Sequence, residues 1–276
     1  MRRTMIIAVT LLFAINAHAQ FGDILKKIDP NKAKKAVNVA RAATRDFSEQ
    51  EEVEIGHVVA ARVLNTYPMS QNETLQKYVT LVGNTVAQYS SRPTLVWHFA
   101  VVETPIVNAF STPGGYIFVT TGALKQMHSE AELAAVIGHE LAHVTQKHVL
   151  KEIKRNNTIS SAVDLAADTQ AGSWLNNDLA RKISDTAYEK LFTTGLSRRD
   201  EDEADRIGVQ LADAAGYRAG EFITFLESLK KLSGTSEMKV LTSTHPSPDD
   251  RIRTIKPLVP ADRGTLLAER WDQWTK

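Results

Sequence analysis

His139-Glu140-Leu141-Ala142-His143 sets two histidines four residues apart. On an α-helix that interval puts both imidazoles on one face, one turn apart, where they can reach a single metal ion, zinc above all. The carboxylate between them then stands beside the ion, placed to take a proton from water. The spacing works only on a helix, and Ser129-Glu130-Ala131-Glu132 supplies its start, with Ser129 as N-cap and Glu132 as reciprocal partner in a capping box. From Glu130 to about Lys151 the chain reads as helix. Leu133, Val136, Ile137, Leu141 and Val144 recur at three- and four-residue intervals, so one face is apolar and carries the histidines into a protected site. Gly138 is expected to leave room beside the metal.

A catalytic zinc takes three protein ligands and keeps one position open, so a third ligand is sought further along. Ser197-Arg198-Arg199-Asp200-Glu201-Asp202-Glu203-Ala204-Asp205 is the obvious stretch. If a helix starts near Ser197, Glu201 and Asp205 share a face and Glu203 points roughly opposite. Glu201 is then the ligand, and Asp205 holds the distal N–H of a ligand histidine, His139 before His143.

These blocks stand in order with Asn108-Ala109-Phe110, with Pro113-Gly114-Gly115-Tyr116-Ile117-Phe118-Val119-Thr120-Thr121-Gly122, and with Thr244-His245-Pro246 followed by Arg251-Ile252. Together they resemble peptidase family M48, a family of zinc metallopeptidases, from about Glu49 to Leu258, with no departure at the ligand positions. The resemblance implies one Zn2+ on His139, His143 and Glu201, Glu140 as general base, and Asp205 behind the ligands. It implies a mostly helical α+β fold of the gluzincin type, with a small sheet whose edge strand lies beside the active-site helix. That edge would be the strand Tyr116 to Thr120 or the Asn108-Ala109 segment before it. An extended peptide could pair along it by its main chain, with Asn108, Ala109 and Tyr116 as substrate-binding residues. The same stretch also reads as a hairpin turning at Pro113-Gly114-Gly115.

His245 lies in a turn fixed by Pro246 and Pro248, and the resemblance puts it near the metal. There it would either donate to the oxyanion or fill the open metal position in a latent enzyme; Arg251 is a second candidate for the oxyanion. His57, His98, His128 and His148 lack ligand spacing to the motif and read as structural or surface residues. The chain has no cysteine, which excludes a thiol nucleophile and disulfide staples.

Met1-Arg2-Arg3, the apolar run Met5 to Ile15 and Ala17-His18-Ala19 read as a signal peptide over residues 1–19, with export to the bacterial periplasm. Removing them lowers the formal net charge from +1 to −1, since two arginines and no acid are lost; nucleic acid is therefore not an expected partner. Residues 20–48 form a basic segment, read as a leader helix packed on the catalytic domain or a peripheral contact with a membrane or envelope complex. Residues 49–276 form the catalytic domain. Within it two helices are expected between Glu49 and Gln88, a strand over Leu95 to Val102, a helical lid within Asn156 to Thr194, and a helix from Gly220 to Leu232. The implied function is a zinc endopeptidase acting on misfolded or misassembled envelope proteins. The rival readings are a chaperone-like binding module with structural zinc and a zinc amidohydrolase of cell-wall peptides.

Overall fold

The computed structural model describes residues 46–155, 177–260 and 263–275. The expected signal peptide, nearly all of the basic segment, and the 156–176 part of the expected lid lie outside these. Helix α1, Glu49–Thr66, starts at a capping box between Ser48 and Glu51, and α2, Glu73–Ala87, is capped by Asn72. Pro68 separates them, because the residue before a proline is pushed out of the helical region; Tyr67 is extended.

Three short strands follow: β1, His98–Val102; β2, Ala109–Thr112; and β3, Tyr116–Thr120. Their order is β1-β3-β2, with β3 parallel to β1 and antiparallel to β2. β3 is therefore central, which removes Tyr116 to Thr120 from the two expected edges. Both its sides are taken, and β2 is the edge that faces the active-site helix. β2 and β3 do form the expected hairpin, turning through Pro113–Gly115, where Gly114 has a φ of 76°. Alternation sends Ile117 and Val119 into one apolar cluster with Phe99 and Val101. Phe118 goes to a second cluster, with Phe110 and Val102. The sheet is covered on both faces.

A single turn, α3, Thr121–Leu124, leads to α4, Glu130–Thr145, which carries the His-Glu-Leu-Ala-His segment. Ser129 caps it as expected, while the Glu132 carboxylate reaches one residue further back, to the N–H of His128. The amphipathic pattern understates its burial: every residue from Glu130 to Val144 is buried, so α4 is the central rod of the fold. It also ends earlier than its pattern suggests. Lys147 takes a φ of 58° and its ammonium lies 3.2 Å from the buried carboxylate of Glu52. The next helix, α5, His148–Arg155, thus begins with His148 turned back onto His143.

α6, Asn177–Glu189, runs into a π-helical turn, Lys190–Thr194, and α7, Arg198–Ala214, is capped by Ser197. α7 crosses α4 at two glycines. A Cβ on Gly138 would stand 2.8 Å from the carbonyl oxygen of Gly208, and one on Gly208 would stand 2.7 Å from the nitrogen of His139. The space beside Gly138 thus admits the second helix, not the metal as expected. The chain closes with α8, Glu221–Lys230; α9, Lys239–Thr244; α10, Pro248–Ile255; and α11, Ala268–Thr275. Among the described residues no helix is long and apolar enough to cross a membrane.

Candidate metal centre and active site

The glycine crossing presses α7 against α4, so that Glu201 and Asp205, one turn apart, meet His139 and His143 face to face. His139 Nε2 and His143 Nε2 are 3.0 Å apart. Glu201 stands 3.5 Å from His143 Nε2 and 3.8 Å from His139 Nε2. These are the spacings of atoms converging on a common centre, since ligands ~2.0–2.1 Å from a tetrahedral zinc stand about 3.4 Å apart. Glu201 Oε1 is buried with no hydrogen-bond partner among the described residues, an unmet acceptor of the kind a cation would satisfy. Two imidazoles and a carboxylate fit a zinc ion by donor type as well.

Protonation agrees with that donor set. Burial pushes His143 well below the ordinary imidazole value, and His139 adds to the effect, leaving it neutral as a ligand must be. Burial works against ionised Glu201, but His245, His143 and His139 outweigh it and hold the carboxyl well below its usual range. Burial likewise opposes ionised Asp205, and Arg251 with His139 overcomes it.

Asp205 Oδ1 lies 2.8 Å from His139 Nδ1, so among the two histidines it holds His139, the first of the expected pair. Arg251 grips the same carboxylate with a fork, Nε at 3.0 Å from Oδ2 and Nη2 at 2.6 Å from Oδ1, and lies over the Phe222 ring. Nε and Nη2 of the guanidinium are spent on Asp205, while Arg251 also lines the cleft that Glu140 and His245 share. His245 does reach the centre. Its Nδ1 is 2.6 Å from Glu201 Oε2, and with His139 and Glu201 it forms a group of potential ligand atoms. Burial lowers its pKa, but the Glu201 carboxylate more than offsets this and lifts it above the ordinary imidazole value.

Glu140 is buried beside the pair, and burial raises its carboxyl pKa against the opposing pull of His139, His245 and Ser111. Ser111 Oγ donates to its Oε2 at 2.9 Å. The sequence does not single out Ser111, although two residues along β2 it shares the face of Ala109, an expected substrate-binding residue, and that face meets Glu140 of α4. Two clefts meet at Glu140 and His245. One, of about 300 Å³, is lined by Ala109, Ser111, Leu191 and Thr244. The other, of about 360 Å³, is lined by Asn108, Val136, Phe222 and Arg251. Ala109 borders both. Asn108 is buried, and neither amide atom of its side chain has a partner among the described residues. Tyr116 is not brought to the site: it is on the central strand, stacked on His98 at 4.5 Å.

Two crossed helices that bring two histidines and a glutamate to one point, with a buried carboxylate alongside, define the site of a metallopeptidase. The model described as Peptidase family M48 matches residues 69–259, and the chain belongs to that family of metal-dependent proteases. It is 26% identical over 225 residues to the Beta-barrel assembly-enhancing protease of Yersinia pestis, covering 78% of this chain and 45% of that protein. It is 33% identical over 184 residues to the Mitochondrial metalloendopeptidase OMA1 of Schizosaccharomyces pombe, covering 66% of this chain and 52% of that one. The chain spans about half the length of these curated relatives.

Proposed function

We propose that this protein is a zinc-dependent endopeptidase that cuts misfolded or misassembled proteins of the bacterial envelope, exported to the periplasm by residues 1–19. The observation that carries the reading is the convergence of His139, His143 and Glu201 on one point beside Glu140. Zinc, when bound there, supplies Lewis acidity toward a carbonyl and makes water more acidic. The residues do the rest. Glu140, with Oε2 fixed by Ser111, keeps its other oxygen for a proton, and burial makes it a stronger base than an exposed glutamate. It takes that proton from water and returns it to the leaving amine. An extended substrate pairs along β2, whose outer side has no strand among the described residues, and Asn108 bonds its main chain.

His245, hydrogen-bonded to Glu201, is suited either to occupy the metal's open position in a resting enzyme or to turn toward the oxyanion. The names of the relatives, an assembly-enhancing protease and a metalloendopeptidase, support proteolysis over a chaperone-like module or an amidohydrolase of cell-wall peptides. So does Glu140, because a structural metal site needs no base.

The test is mass-spectrometric detection of new termini when the zinc-loaded protein meets an unfolded protein or a muropeptide, beside Glu140→Gln. Cuts in the protein made only by the wild type bear the proposal out. Cleavage of muropeptides alone would transfer it to the amidohydrolase class, and binding without cutting, also by His245→Ala, to the binding module.

A further inference from the structure

His139 and His143 are held from behind by different chemistry. His139 has the carboxylate of Asp205; behind His143 stands a second imidazole. His148 is fully buried, and its Nδ1 lies 2.9 Å from His143 Nδ1, the rings 5.0 Å apart at 74°. On its far side Nε2 has no hydrogen-bond partner among the described residues and faces Asp200 Oδ1 at 3.7 Å and Glu203 Oε2 at 3.5 Å. Asp200 is fixed in turn by the Ser197 hydroxyl, which donates to its Oδ2 at 2.6 Å.

The protons can be placed by elimination. His143 turns Nε2 toward His139 and Glu201, so as a neutral ligand it carries its proton on Nδ1. That N–H must donate, and the atom it meets is His148 Nδ1, which must therefore accept. His148 then has its own proton on Nε2, directed at two carboxylates. Every proton has an assigned place, and negative charge from the first turns of α7 stands behind a polarised chain of two imidazoles.

We propose that His148 is a positioning residue for the metal centre: it selects the His143 tautomer whose Nε2 lone pair faces the metal, and Asp200 with Glu203 fixes His148 in that role. His148, Asp200 and Glu203 also have the spacing of a small metal site, but that use conflicts with the first. A metal on His148 Nε2 would move its proton to Nδ1, facing His143 Nδ1, and drive the His143 proton onto Nε2, where the catalytic metal must bind. The proton economy assigns the cluster to orientation.

The inference rests on the zinc site proposed above, and zinc binding by the full chain tests both separately. Zinc stoichiometry and affinity, from competition with a chromogenic chelator, are compared for wild type, His148→Leu, His148→Asn and Asp200→Asn/Glu203→Gln. Melting of each metal-free protein controls for folding. Leucine fills space but accepts nothing, whereas the asparagine amide oxygen can take the place of Nδ1. The expected result is one equivalent of zinc in the wild type, an affinity about 10–100-fold weaker in His148→Leu, and recovery of most of that loss in His148→Asn. An unchanged affinity in His148→Leu overturns the proposal, as does a His148→Asn variant no better than leucine. Two equivalents in the wild type, one of them lost in the double variant, would make the cluster a second metal site. A wild type that binds no zinc at all defeats the metallopeptidase chemistry itself.

Discussion

Gly208 on α7 touches the main chain of His139 on α4: a methyl group at Gly208 would lie 2.7 Å from the His139 nitrogen. The metal-ligand geometry is therefore set by backbone contact at the crossing as much as by the ligands. Gly208→Ala is expected to cost about 1–3 kcal/mol through overpacking. Because Glu201 and Asp205 move with the helix, zinc affinity should fall about tenfold or more. Urea denaturation and chelator competition would check both; a variant that loses stability but keeps full affinity would separate the crossing from the site.

Arg251 and Asp205 form a buried pair that must be kept or lost together. Arg251→Leu leaves the Asp205 carboxylate uncompensated and is expected to destabilise the fold by about 3–5 kcal/mol. Arg251→Lys restores charge but not the fork, so it should fall between the two. Measured by urea unfolding, equal stabilities for lysine and arginine would show that charge alone matters.

Asn108 should separate activity from stability. Its buried side-chain amide has no partner among the described residues, so Asn108→Ala is expected to leave the melting temperature unchanged or raise it. Losing one main-chain bond to the substrate should lower kcat/KM about tenfold, equivalent to about 1.4 kcal/mol. Peptide kinetics beside a thermal melt would decide it; a lower melting temperature would make Asn108 a structural residue.

Glu132 makes stability fall with rising pH. Burial, aided by Glu221 and opposed by the His128 N–H, pushes its carboxyl up from 4.5 to about 7. Between those values the native chain keeps a proton that the unfolded chain has released. The native state is therefore favoured most below 4.5, and the penalty is complete above about 7. Glu132→Gln keeps an acceptor for the His128 N–H and removes the charge. It is expected to be more stable than wild type at pH 8 and no more stable at pH 4, a comparison that chemical unfolding at the two pH values would make.

The candidate ligands are legible because four-residue spacing on a helix is a local property, and both segments that bear them advertise their helices by N-caps. Asp205 was legible by the same rule. Which strand forms the edge was not, since alternating side chains look alike in a central and an outer strand; Tyr116 was thus placed near substrate when it lies behind. Arg251 and His148 illustrate another limit. The sequence offers Arg251 an oxyanion and His148 a structural or surface place, because their partners lie on other helices and tertiary packing alone supplies them. Gly138 was seen as a gap without its occupant, Gly208.

The two halves of the metal centre are contributed by rods distant in sequence and joined at one crossing. His139 and His143 come with α4 and His148 opens α5, whereas Glu201, Asp205 behind His139, and Asp200 with Glu203 behind His148 all travel on α7. A chain not yet folded owns the local His-Glu-x-x-His turn with His148 close behind it, but lacks Glu201 and the other carboxylates that α7 brings. The candidate metal centre is thus complete only in the finished tertiary structure, so holding an ion there is a property of the folded chain and not of the His-Glu-x-x-His turn alone.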